Sequence, residues 1–208
     1  AEESQEAVNP NIVYSCFNYS IDLNYETIDM SKMKVVDHSI YYLDNNEYVC
    51  IEFFNTEEFA LNATEITVKD YIDGIPVTVV MGAQIKYNNK KCYSKLTKVN
   101  IPNTVKTIGK RAFCKLKNLT QVNLPKSITK IESYAFSGLK KMTELYLPDS
   151  ITEIGECAFE NTNISKINMP RSLKEFSGGF IGMDKLKSIT IPKEIKYISD
   201  SAFNSDTN

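Results

Sequence analysis

The spacing of five prolines constrains this chain more than any other feature. Pro102, Pro125, Pro148, Pro170 and Pro192 are separated by 23, 23, 22 and 22 residues. Each closes a short alternating segment of the form L-x-x-I-x-I-P, at 96–101, 119–124, 142–147, 164–169 and 186–191. After each proline a second apolar set recurs. Val105, Ile108, Ala112 and Phe113 are followed in the next copy by Ile128, Ile131, Ala135 and Phe136. Then come Ile151, Ile154, Ala158 and Phe159, then Leu173, Phe176, Gly179 and Phe180, and last Ile195, Ile198, Ala202 and Phe203. A fixed period of this length is the signature of stacked coils. Alternate side chains of a strand point to opposite faces, so the two apolar positions of I-x-I turn inward together. Proline has no N–H to give to a ladder and ends the strand. The chain then turns back and presents V-x-x-I and A-F from the other side. One coil cannot bury these residues alone, so neighbours must stack, with successive strands about 4.8 Å apart in a parallel sheet. The fold class expected is a β-rich solenoid.

Two single-residue deletions account for the shorter periods, one after Phe159 and one between Phe176 and Phe180. The fourth copy, with Ser177, Gly178 and Gly179 before Phe180, is the least regular. Upstream, Val80 aligns with Ile108 and Ile85 with Phe113, each at an offset of 28. This makes 66–95 a degenerate first repeat. The stretch from Ile66 to Gly74 is its strand and turn, and 86–95 (KYNNKKCYSK) is an inserted basic loop. The regular repeats then fill 96–203.

The pattern L-x-x-I-x-I-P-x-x-V-x-x-I-G-x-x-A-F resembles the BspA-type leucine-rich repeat family of bacterial cell-surface proteins. The resemblance covers about residues 96–203. Leu116, Leu139 and Met183 stand where that family often has cysteine, and Thr162 is the departure in the shortened copy. The glycine of I-G is kept at Gly109 and Gly155 and replaced by Glu132, Ser177 and Ser199. The resemblance implies a right-handed leucine-rich repeat coil with short parallel strands. It also implies an exported or surface-displayed module that contacts host proteins, matrix or neighbouring cells.

Residues 1–65 do not repeat. The acidic, polar residues 1–10 read as a flexible leader, and 11–65 as a β-rich cap over the first coil, whose apolar end would otherwise be exposed. Within it, Ile40 to Phe54 reads as a hairpin turning at Asp44, Asn45 and Asn46. Eight of the twelve tyrosines lie in residues 1–90. A tyrosine-lined glycan-binding module is therefore the alternative reading of this region, and an architectural spacer that of the chain as a whole. The sequence opens at Ala1 rather than Met, which a removed signal peptide or a shortened chain would each explain. The last coil ends close to Phe203, so shielding is expected there, by residues 199–208 folding back or by self-association.

Net charge is -2 over 208 residues, which argues against a nucleic-acid partner. The average hides an asymmetry. Residues 1–90 carry 5 Lys and 15 acidic residues, whereas residues 91–208 carry 19 basic and 11 acidic residues. No apolar run approaches the roughly 18 residues of a membrane helix. His38 is the one histidine, which leaves no His-rich metal site and little His-based catalysis. The five cysteines, Cys16, Cys50, Cys92, Cys114 and Cys157, form no CxxC pair and read as small buried hydrophobes. No nucleophile, P-loop or dinucleotide motif is present, so neither catalytic residues nor a cofactor are expected.

In a solenoid the outward strand positions form the recognition surface. One column is Lys98, Gln121, Glu144, Lys166 and Ser188, and the other is Asn100, Asn123, Tyr146, Asn168 and Thr190. Together they read as a polar, weakly basic strip for a protein partner, with Tyr146 as an aromatic anchor. The basic clusters Lys86, Lys90, Lys91, Lys95 and Lys110, Arg111, Lys115, Lys117 read as solubilising or as attracting an acidic partner. Sequons at Asn18, Asn62, Asn118 and Asn163 matter only in a host that glycosylates them.

Overall fold

The computed structural model describes residues 29–54, 56–81, 93–176 and 178–203. The leader, the segment 11–28, most of the basic insertion and the last five residues lie outside them.

The repeats form two parallel ladders, one from each apolar segment of the coil. The first ladder takes the strands before the prolines. Here β4 (Glu65–Thr67), β7 (Lys98–Asn100) and β9 (Gln121–Asn123) pair in register, so Ile66, Val99 and Val122 stack inward. Farther along, β11 (Glu144–Leu145) pairs with β13 (Lys166–Ile167). The second ladder takes the strands after the prolines. It runs from β6 (Ile75–Val80) through β8 (Thr107–Ile108) and β10 (Lys130–Ile131) to β12 (Glu153–Ile154). Val80, Ile108, Ile131 and Ile154 share one register, as the 28-residue offset requires.

Phenylalanine fills the space between the ladders. Phe113, Phe136, Phe159 and Phe180 are fully or almost fully buried, with ring centroids 5.1, 5.5 and 5.3 Å apart. Phe203 continues the stack at 5.9 Å. At the other end the ring on Phe113 is Phe53, 5.9 Å away. Ile85, aligned with Phe113 from the sequence, lies outside the described residues.

The region before the coils is an antiparallel meander followed by one helical turn and a half. β1 (Met33–Val36), β2 (Ser39–Asp44) and β3 (Glu47–Glu52) are antiparallel, and β3 then pairs parallel with β6. The β2–β3 turn falls where the sequence places it. Asn45 and Asn46 have φ of 47 and 61°, the double left-handed geometry of a tight hairpin. A second such turn, Asp73–Gly74, joins β5 (Tyr71–Ile72) to β6. The short helix Glu57–Asn62 falls in a stretch expected to be β-rich. Side chains lock the meander to the coils. The fully buried Glu52 carboxylate accepts from the Phe53 N–H at 2.8 Å and from the Tyr93 hydroxyl. Tyr41 is fully buried, and its hydroxyl accepts the Lys69 N–H at 3.1 Å.

Three departures from strict repetition matter. The segment 186–191, expected as a fifth strand, makes no ladder pairing. β14 (Glu175–Phe176) pairs with β15 (Tyr197–Ile198) but not with β12. Its copy is one residue short, and keeping Phe180 over Phe159 brings Gly179 across towards Ile154. A Cβ on Gly179 would lie 2.5 Å from the Ile154 Cγ2, which is why glycine replaces the alanine of the other copies. Finally, Ile191 and Phe203 are 39% and 41% exposed, and residues 204–208 of the expected fold-back lie outside the described residues.

Two substitutions test the stacking. Phe136→Ala removes a fully buried ring with a neighbour on each side and is expected to cost about 3–5 kcal/mol in urea unfolding. Gly155→Ala sets a Cβ 2.4 Å from the Ser133 amide nitrogen. It is expected to cost about 1–3 kcal/mol, because backbone rather than a mobile side chain must give way.

Candidate functional site

The two expected columns both lie on the outer side of the first ladder. Val99, Val122 and Leu145 point inward and are buried. Their neighbours Gln121, Asn123, Glu144 and Lys166 are exposed, and Lys98, Asn100 and Asn168 are half-buried. Tyr146 projects furthest, at 70% exposed. Ser188 and Thr190 are exposed too, but on the segment that joins no ladder.

Most of these polar side chains are held in place. Asn100 Nδ2 donates to Glu65 Oε1 at 2.6 Å and to Thr67 Oγ1 at 3.1 Å. Asn123 Nδ2 donates in turn to Asn100 Oδ1 at 3.2 Å, and Gln121 Nε2 to Asn123 Oδ1 at 3.1 Å. This is an amide ladder across three coils, and it stops at Tyr146. Asn168 does something else. It accepts the Leu147 N–H at 2.8 Å and donates to the Leu147 carbonyl at 2.7 Å, standing in for a strand neighbour.

The charges on the strip are paired. Lys98 Nζ lies 2.8 Å from Glu65 Oε1, and Lys166 Nζ 3.6 Å from Glu144 Oε2. Hydrogen bonds from Lys98 and then Asn100 hold the Glu65 carboxyl below its usual pKa. The strip is therefore polar and charge-balanced rather than weakly basic. The residues missed from sequence are Glu65 and Thr67, one coil upstream. The alternation around Ile66 was the signal for them.

Elsewhere the chemistry is sparse. Burial raises the pKa of the Cys50 and Cys114 thiols, which keeps them protonated and weakly nucleophilic. Among the described residues no group of three or more His, Cys, Asp or Glu is placed to hold a metal ion. Tyr41, Tyr42 and Tyr48 are buried and cannot serve as a glycan platform, while Tyr71 is 54% exposed. Tyr14, Tyr19, Tyr25 and Tyr87 lie outside the described residues. Where β12 and β14 part, Thr152, Glu153, Ile154, Glu175 and Tyr197 line an open recess of about 420 Å³. Its Glu153 is engaged by Lys130 at 3.1 Å.

The comparisons agree with this architecture. The T. pallidum leucine-rich repeat protein matches 86% of this chain over 91% of its own, at 18% identity and a TM-score of 0.54. A leucine rich cell surface protein from Faecalibacterium prausnitzii A2-165 matches 86% of this chain over 52% of its own, at 20% identity and a TM-score of 0.58. The pneumococcal vaccine antigen PcpA matches 82% over 43% of its own chain, at 20% identity and 0.58. The chain thus spans about half the length or less of the last two, and identities this low carry the likeness in fold alone. No curated protein matches the sequence. The family profile for a BspA type leucine rich repeat region, in six copies, matches residues 85–208. That match covers more than half of the chain, which belongs to the BspA type leucine-rich repeat family.

Proposed function

We propose that this chain is a non-catalytic binding module, secreted or displayed at the cell surface, that recognises a protein partner through the outer face of its first ladder. A host or matrix protein, or a neighbouring cell's surface, is the class of partner, and adhesion is the role. The observation that carries the reading is the strip itself. A flat polar face is fixed by side-chain hydrogen bonds, and one large aromatic, Tyr146, stands clear of it. Pinned polar groups lose little freedom on binding, and a projecting tyrosine offers contact area on only two rotatable bonds. The family and the cell-surface relative in F. prausnitzii support the setting. Among the described residues no helix is long and apolar enough to cross a membrane.

The same proposal assigns the parts. We read the coils as right-handed, starting at residue 66, with the degenerate repeat up to 95 and the regular ones to 203. The preceding region, 11–65, caps the first coil, as the stacking of Phe53 on Phe113 and the β3–β6 pairing favour.

Binding and stability should separate along the strip. Asn123→Ala with Tyr146→Ala is expected to weaken capture by immobilised matrix proteins at least about tenfold, with little change in melting temperature. Unchanged affinity in biolayer interferometry would remove the strip from consideration. Asn168→Ala is expected to do the opposite. It strands the N–H and carbonyl of the buried Leu147 and should cost about 1–3 kcal/mol in chemical denaturation.

A further inference from the structure

The ladders and the corner of the coil treat their cations differently. On the ladder strands Lys98, Lys130 and Lys166 meet carboxylates, and Arg171 does so in the turn between the two ladders. Lys130 lies 3.1 Å from Glu153, Lys98 2.8 Å from Glu65, Lys166 3.6 Å from Glu144 and Arg171 3.8 Å from Asp149. The corner where the chain leaves each phenylalanine and turns into the next strand carries Lys95, Lys115, Lys117, Lys140 and Lys141. All five are exposed, and among the described residues none has an ion-pair partner.

These lysines form one surface because the corners stack. The Asn118 amide donates to the Ser94 carbonyl at 2.5 Å, and the Asn163 amide to the Lys140 carbonyl at 2.7 Å. The Lys115 N–H donates to the Ser137 carbonyl at 2.8 Å. Lys95, Lys117 and the Lys140–Lys141 pair thereby occupy successive coils. Two of the ammonium groups touch only neutral amides, Lys95 at Asn62 and Lys140 at Asn161. Glu160 of the next coil is half-buried and takes the Ser137 hydroxyl at 3.4 Å.

Five like charges on adjoining coils repel one another, and a polyanion laid along them would relieve that repulsion. The choice of lysine narrows the partner. Lysine supplies compact point charges on flexible stems rather than the planar fork that grips one carboxylate or phosphate. Among the described residues the phenylalanines beside the corner are buried, so is Tyr93, and the half-buried Tyr134 is covered by the Arg111 guanidinium 5.4 Å from its ring, which leaves no open face there for bases to stack on. We propose that this corner binds a linear sulfated polysaccharide, which runs along the solenoid axis from coil to coil. This site is separate from the strand-face strip, so either can fail without the other.

The test uses the full chain and immobilised heparin. The unaltered protein is expected to be retained at about 0.15 M salt. A variant with Lys115, Lys117, Lys140 and Lys141 all changed to Gln is expected to bind about tenfold more weakly or worse. A control that removes the same charge from paired positions, with Lys34, Lys69, Lys130 and Arg171 changed to Gln, should stay within about twofold. Acetylation footprinting of the unaltered protein gives a readout that needs no variant, and heparin should protect the corner lysines selectively. Three results would overturn the proposal. These are no retention of the unaltered protein, equal weakening by both variants, or equally tight binding of a single-stranded oligonucleotide of matched charge.

Discussion

A coil of 22 or 23 residues has no interior of its own. Everything in this structure depends on the contact that supplies one, the stacking of each phenylalanine on its neighbour. The rings of Phe113, Phe136, Phe159 and Phe180 repeat at 5.1–5.5 Å, close to the spacing at which parallel strands pair. The backbone ladders follow the same rise, so aromatic packing and hydrogen bonding reinforce one another. The hydrogen bonds also alternate in sense around the coil. Where the chain enters a ladder strand it donates to the coil before, as Thr120 N–H does to Thr97 and Lys106 N–H to Thr78. Beside the phenylalanines the sense reverses, and Phe113 N–H donates forward to Ala135 and Phe136 N–H to Ala158. Each coil therefore offers donors and acceptors to both neighbours.

Redundancy explains how the stack tolerates its irregular copy. The first ladder parts between β9 and β11, where β10–β12 holds. The second parts between β12 and β14, where β11–β13 holds and Asn168 replaces strand contacts at Leu147. Side-chain hydroxyls add a further set of ties to the preceding coil. Thr120 reaches the Thr97 carbonyl at 3.0 Å, Ser127 that of Val105 at 2.6 Å and Ser150 that of Ile128 at 2.7 Å. Loss of one register therefore opens a local recess without separating the coils.

Repetition made the coils legible in the sequence, down to the register of Val80 with Ile108 across an inserted loop. It also placed the outward columns, because a two-residue period leaves no freedom in which side chains face out. What it did not reveal are contacts made once. Phe53 lies in a run that only reads as a hairpin strand, yet it supplies the ring next to Phe113. Glu52, in the same run, is buried against the Tyr93 hydroxyl, 41 positions away. The balance of charge on the strip was hidden for a related reason. Glu65 stands just before the degenerate coil, where the pattern is too weak to show that it faces Lys98.

The surface that results is divided by how its polar groups are satisfied. Along the ladders, cations meet carboxylates and amides meet amides, so Asn100 and Asn123 arrive at a partner already oriented. Tyr146 has no such restraint across the gap between β9 and β11, and it is the side chain left free to adapt. At the corner the reverse holds, with exposed ammonium groups on flexible stems and, among the described residues, no counter-charge in contact. A rigid, neutral face discriminates through fit and desolvation, whereas an unpaired basic edge acts at longer range and weakens with salt. The repeat places both on one scaffold because strand positions and corner positions vary independently while the inward phenylalanine stays fixed.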